Sequence, residues 1–291
     1  MAEGFNFTKI VVVQSLEQHE SQTGRMIADF LTSELESNEH LMQVEFKTCW
    51  SAKEFLEVLT TLEYEANTGE IPLLHVETHG SKEMGLEFEN GSELSWDDLA
   101  KLLRRLNVAT RFNLLALFSA CWGGYFLGKM SAIQQAPCYA MVAPSEKLWP
   151  NEIYAGFTTF YRIFLKELDV ASAVDAMRAL PLQNGYWFGK PAEIWFERVL
   201  LDYVRVKCSN EMSEQRAKTL QSELAKDGKI IPIPPLLELL RGQNRKNLLP
   251  DYFSKYFMLE EIPENATRFS ALYTRMEFVL DELRSGGQHV V

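Results

Sequence analysis

The chain is short of the groups from which disulfide, metal or redox frameworks are built. Its four cysteines, Cys49, Cys121, Cys138 and Cys208, stand far apart with no C-x-x-C pair. That spacing argues against a disulfide scaffold and against a structural zinc site, and it predicts free thiols in a reducing cytoplasm. No run of about 18 apolar residues occurs, which excludes the usual signature of a membrane-spanning helix. Met1-Ala2-Glu3-Gly4 has neither the basic nor the apolar region of a secretion signal, so a soluble, cytoplasmic protein is expected. Positive charge is scarce as well. The net charge is −11, and residues 1–184 hold 14 Lys+Arg against 25 Asp+Glu, while the remainder is balanced at 15 against 15. Phosphate affinity needs a basic footprint, so nucleic-acid binding by the first part is not expected and a basic peptide suits it better. Neither an internal repeat nor a low-complexity tract is present.

What is there is a substantial core. With 291 residues and 46% hydrophobic content, the chain can bury one large domain and a smaller appendage. Thr8 to Gln14, centred on Ile10-Val11-Val12-Val13, is a continuous β-branched run and predicts a buried strand. A helix over Gly24–Leu35 follows, then a strand over Gln43–Thr48, and Ser51-Ala52-Lys53-Glu54 is a capping box opening another helix. The apolar run from Ile71 predicts a strand ending at His79, and Gly85–Gly91 predicts a small hairpin. Ser95 caps a helix through Leu106, a strand ends at Cys121, a helix covers Tyr125–Ile133, and Cys138–Ala143 is a further strand. Helices over Asn151–Leu165 and from Asp169 to Leu180 complete the pattern. Strand alternating with helix predicts an α/β fold, a mostly parallel sheet with helices on both faces. From about Asn184 onward helices alone are expected: Ala192–Lys207, Ser213–Ala225, Leu236–Leu240 and Asn265–Arg284, with a loose tail at Ser285–Gln288. The division is therefore residues 1–184 and a helical C-terminal extension over 185–291. The extension's aromatic residues, among them Phe196, Tyr203, Phe253, Tyr256 and Phe257, exceed what a linker needs, which suits either a regulatory or partner-docking role or plain structural buttressing of the first domain.

Two motifs carry chemistry. His79-Gly80 and Cys121-Trp122-Gly123-Gly124 each end an apolar run, and reactive groups in an open α/β sheet gather at the carboxyl ends of strands. A thiol attacks a carbonyl as thiolate, which a neighbouring histidine supplies or stabilises. Glycine lets backbone approach the reacting carbon, and amides beyond a strand end can hold an oxyanion. Chain order discriminates further. Of the five histidines, only His289 follows Cys121, so histidine-after-nucleophile arrangements are disfavoured. His75 shares the strand face of His79; it reads first as a structural histidine and, after that, as the second candidate base.

The sequence resembles the caspase-like cysteine peptidases, and most closely their CHAT branch. The resemblance rests on Leu73-Leu74-His75-Val76-Glu77-Thr78-His79-Gly80 and Leu117-Phe118-Ser119-Ala120-Cys121, with support from the Leu94–Leu99 helix start, Met141–Glu146, Phe157–Tyr161 and Ala171–Val174. It covers about residues 7–190. It implies a caspase-like sheet and cysteine endopeptidase activity on a protein or peptide substrate, without a metal or organic cofactor. Cys121 would be the nucleophile, His79 the general acid and base, and the amides of Gly80 and Cys121 the oxyanion donors. The loop Ser145-Glu146-Lys147-Leu148-Trp149-Pro150 would help build the pocket for the P1 residue, the one before the cut. Ser145 and Glu146 would contact substrate, Glu146 favouring Lys or Arg, and Trp149 would form a wall. Stand-alone relatives of this kind sit in prokaryotic defence or regulated proteolysis, where a second protein is trigger and target. The rival expectation is a catalytically silent scaffold that binds a partner without cutting it.

Overall fold

A computed structural model describes residues 6–37, 42–129 and 134–285. The chain divides into two compact units, the first made of residues 1–130 and 136–192, the second of residues 131–135 and 193–291. The first is an α/β sheet unit. Strand β1 (Lys9–Ser15) is buried throughout, as its β-branched run demands. It is followed by α1 (Thr23–Ser37), β2 (Gln43–Thr48), α2 (Ala52–Asn67), whose N-cap Ser51 accepts from the Glu54 amide, and β3 (Pro72–Ser81). Two short strands, β4 (Gly85–Glu87) and β5 (Glu93–Leu94), lead to α3 (Trp96–Ala109), capped by Ser95. Strand β6 (Leu115–Phe118), a 3-10 helix over Gly123–Lys129, β7 (Ala140–Pro144), α4 (Pro150–Glu167), α5 (Val170–Arg178) and β8 (Trp187–Pro191) complete the unit.

The main sheet runs β2-β1-β3-β6-β7-β8, with β4 and β5 attached to the end of β3. All neighbours in that order are parallel except β7 and β8. The fold is thus α/β with a mostly parallel sheet, as the alternation of elements predicts. One face packs Ile10, Val12, Leu73, Leu115, Leu117 and Val142 into a core with α1, α4 and α5. The alternate residues Val11, Val13, Leu74, Val76 and Phe118 are equally buried and point the other way, towards α2 and α3. Phe126 bridges that side, its ring 5.9 Å from Phe118 and 6.3 Å from Trp96 of α3.

Several expectations need correction. The region after Asn184 is not helical alone, because β8 pairs antiparallel with β7 from Ala140↔Pro191 to Pro144↔Trp187. The first unit therefore extends past residue 184 to Ala192. Gly189 and Pro191 hide this strand from a periodicity reading, yet both are tolerated at a sheet edge. The helix expected over Tyr125–Ile133 is a 3-10 helix starting at Gly123, and residues 130–133 lie outside the described residues, as do His289 and residues 286–288 of the expected tail. The hairpin expected within Gly85–Gly91 forms differently. Strand β4 pairs with His79–Ser81 at the end of β3 and, on its other side, with β5.

The second unit is helical: α6 (Ala192–Lys207), α7 (Asn210–Lys226), α8 (Ile233–Tyr256), α9 (Asn265–Arg268) and α10 (Ser270–Ser285). Helix α8 exceeds the expected Leu236–Leu240 at both ends: Pro234 and Pro235 stand in its first turn, where their missing N–H groups cost nothing, and it continues through Pro250 to Tyr256. The aromatic residues form its core: Phe196 lies 5.5 Å from Phe253 and 5.2 Å from both Tyr256 and Phe257, centroid to centroid. Among the described residues no helix is long and apolar enough to cross a membrane, and no cluster of three or more His, Cys, Asp or Glu is placed to hold a metal.

Candidate active site

The parallel ladder between β3 and β6 ends with Val76 opposite Phe118, and the Ser119 amide still donates to the Val76 carbonyl at 2.8 Å. Counted onward in that register, His79 and Cys121 come level at the carboxyl rim. Gly80 makes the approach possible. A Cβ built there runs into the Cys121 carbonyl oxygen and comes within 3.1 Å of the Ala120 Cβ, so the ends of β3 and β6 touch backbone to backbone. Cys121 then turns out of the sheet through Trp122, whose φ of +55° is left-handed, a conformation that costs a bulky residue energy and persists only where its surroundings enforce it. The enforcing contact is the indole N–H of Trp122, which donates to Glu146 Oε2 at 2.9 Å.

The thiol of Cys121 is half-buried. Burial pushes it above the ordinary thiol range, against the Leu148 amide, which hydrogen-bonds to the sulfur, and the Lys147 charge, both of which pull it down. The Glu77 carboxylate adds to the upward push. The net upward shift favours the thiol over a thiolate at Cys121. His79 is half-exposed and its Nε2 meets Glu20 Oε1 at 2.9 Å. Burial tends to raise the Glu20 carboxyl, but the Glu17 amide and His79 outweigh it and hold the group below the usual carboxylate range. Glu20 sits in the loop between β1 and α1, beside the end of β3 because β1 and β3 are neighbours. The sequence reading missed it. The rule that carboxyl-end loops converge points to that loop, yet nothing in Glu17-Gln18-His19-Glu20 singles out the last carboxylate.

Glu20→Gln keeps a hydrogen-bond acceptor and removes the charge facing His79. It is expected to lower any peptide-cleaving rate about tenfold, less than the roughly 10²–10⁴-fold that a general acid or base itself supplies. Initial rates at equal enzyme concentration check this, and an unchanged rate removes Glu20 from the site.

The remaining predicted residues are distributed as follows. Ser145 Oγ accepts from the Tyr186 amide at 2.9 Å, and Gly185 packs tightly on Ser145 and Glu146, where a Cβ would come within 2.8 Å of both side chains. Glu146 is tied to Trp122, directly after Cys121. Trp149 is 55% exposed, and its indole donates to Gln183 at 3.1 Å. The Lys82 ammonium lies over the rings of Trp122 and Tyr125 at 5.6 and 5.4 Å, a stacked cation that the sequence did not announce. His75, the second candidate base, is fully buried with both ring nitrogens engaged, by Tyr161 and by Ser119. It does not reach the rim and is not a base.

No family model matches this chain, and no curated protein matches it either.

Proposed function

We propose that the protein is a caspase-like cysteine endopeptidase in which Cys121 attacks the scissile carbonyl and His79 moves the protons. The observation that carries this reading is the close seat of Gly80 on the Cys121 carbonyl, which brings the ends of the two strands bearing these groups together without a side chain between them. In the first step His79 takes the thiol proton as Sγ bonds to the carbonyl carbon. The oxygen of the tetrahedral intermediate would be received by the amides of Gly80 and Cys121. His79 then gives its proton to the departing amine, leaving a thioester, and water activated by His79 hydrolyses that thioester to release the acid and restore the thiol. Glu20 orients the imidazole throughout. The raised thiol suits a general-base mechanism in which the proton leaves Sγ only when substrate is seated.

A basic P1 residue fits the acidic first unit and Glu146, which is fixed by Trp122 through one oxygen and would offer the other to an ammonium or guanidinium. The reducing cytoplasm suits four free thiols. A regulatory protein docking on the C-terminal helices, in a prokaryotic defence or proteolysis system, rests on the family resemblance alone.

The test is incubation with a mixture of peptides derived from a whole proteome, reading new termini by mass spectrometry for wild type and Cys121→Ala. Cuts that share a P1 preference and vanish in Cys121→Ala support the peptidase. A wild type whose new termini match those of Cys121→Ala supports the silent scaffold instead.

A further inference from the structure

Strand β3 presents three polar residues on one face, His75, Glu77 and His79, two positions apart. The last belongs to the proposed dyad. The other two are buried completely, His75 at 0% and Glu77 at 1% exposure, and buried polar groups are kept where a network uses them. His75 Nδ1 is 2.9 Å from Tyr161 Oη, and its Nε2 is 2.9 Å from Ser119 Oγ. Tyr161 is fully buried, which pushes its phenol well above the ordinary range and keeps the proton on it. Its hydroxyl has His75 as its one hydrogen-bond partner among the described residues, so its hydrogen goes to Nδ1. That assignment leaves the imidazole hydrogen on Nε2, donated to Ser119. Glu77 Oε1 lies 3.7 Å from the same Nε2 and has no hydrogen-bond partner among the described residues. The carboxylate's other oxygen accepts from Thr23 Oγ1 at the start of α1 at 2.8 Å. The imidazole cannot swing away, being packed edge-on against Phe157 at 4.5 Å and along Tyr161 at 5.8 Å between centroids.

Ser119 directly follows β6 and is still tied to the sheet by its amide. Its amide bonds to Val76, and after it the chain runs through Ala120 and Cys121 into the left-handed Trp122. Its side chain is thus the nearest upstream anchor of the nucleophile, braced through His75 to α4 and facing a carboxylate anchored on α1.

We propose that His75 and Ser119 are positioning residues for Cys121: their hydrogen bond fixes the segment that carries the nucleophile, with Tyr161 setting the tautomer and the Glu77 carboxylate standing beside the same ring nitrogen. The catalytic meaning of this role rests on the peptidase reading. Without the anchor, Cys121 drifts from the Leu148 amide and from the buried seat that raises its thiol. Small misplacements of a reacting group cost as much as 10²-fold in rate, on the order of 1 Å of drift being enough.

Ser119→Ala tests this by two readouts that move in opposite directions. Iodoacetamide alkylation of Cys121, followed against pH by peptide mass mapping, is expected to shift towards an ordinary thiol, with a rate at pH 8 about fivefold or more above wild type. Cleavage of the proteome-derived peptides is expected to fall about tenfold or more. Cys49 and Cys138, buried in the same unit, are internal standards whose alkylation stays constant, and Ser119→Thr, which keeps the hydroxyl, is expected to return both readouts towards wild type. An alkylation profile for Cys121 that superimposes on wild type overturns the proposal, as does a rise shared equally by Cys49 and Cys138, which marks general loosening. If wild type and Cys121→Ala yield the same peptides, the peptidase reading fails and the catalytic role fails with it. A normal wild-type cleavage pattern with unchanged Ser119→Ala kinetics removes the positioning role alone.

Discussion

A His79→Ala protein is expected to lose peptide cleavage by about 10⁴-fold, while iodoacetamide alkylation of its Cys121 changes by less than about twofold. The two halves of this result have different causes. Cleavage needs a group that takes the thiol proton and returns it to the leaving amine, and His79 is the imidazole at the rim. Alkylation of the resting thiol depends on the thiolate population, and the influences on that population are burial, the Leu148 amide, Lys147, the Cys121 amide and Glu77. The thiol is raised, so its alkylation rate is expected to climb through the neutral and mildly alkaline range and to level off only above the ordinary thiol value. A wild-type Cys121 that reacts fast at low pH and slows in His79→Ala reveals a preformed thiolate–imidazolium pair and overturns the resting state described above. Cleavage that survives in His79→Ala removes the histidine from the mechanism.

The legibility of this site in the sequence was uneven, for reasons that can be stated residue by residue. Ile10–Val13 and Leu73–Val76 announce parallel strands because both faces are covered, so the run of apolar residues is unbroken. From strand ends and chain order, His79 and Cys121 could be paired without coordinates, since parallel strands bring their carboxyl ends to one rim. Strand β8 could not be read, because an edge strand containing Gly189 and Pro191 has neither a continuous nor an alternating pattern. Glu20 and the Leu148 amide escaped for a different reason. Each lies in a loop, where no periodicity relates a residue to its neighbours in space. The partners of His75 show the same limit. Its face on β3 follows from its even spacing to His79, but Tyr161 lies 86 positions along the chain and Ser119 44 positions, and only the packing of α4 on the sheet joins the first of them to the second.

These residues describe a site assembled from β3 outward. His79 is held by the β1–α1 loop through Glu20, and the same loop leads into α1, whose Thr23 grips Glu77. Gly24 in that first helical turn leaves room for the approach, since a Cβ there would come within 2.9 Å of Glu77 Cγ and 2.8 Å of Gln14 Oε1. On the other strand Ser119 is tied to Val76 two residues before Cys121, and the Leu148 amide reaches the Cys121 sulfur. A disturbance of the β7–α4 loop therefore reaches the sulfur directly, and a partner protein that moved this loop would change the thiol's reactivity without touching His79.

Gly80→Ala is expected to lower peptide cleavage by at least about 100-fold, with a loss of folding stability of about 1–3 kcal/mol. The added methyl meets the Cys121 carbonyl oxygen and the Ala120 Cβ, and the first of these is backbone, which cannot turn aside as a flexible side chain can. Nor can Gly80 retreat freely, because it is paired with Leu86 of β4 in the small sheet at the end of β3, and Leu86 is fully buried. Relief therefore comes from spreading the ends of β3 and β6, which moves His79 and Cys121 apart together. Kinetics sense that spreading far more steeply than stability does, so the activity loss is expected in protein that still unfolds cooperatively. Cleavage rates and thermal unfolding measured on the same sample check both parts. A Gly80→Ala protein that keeps cleavage within about threefold of wild type would mean that the seat of Gly80 on Cys121 does not set the reacting geometry, and the dyad reading would lose the observation that carries it.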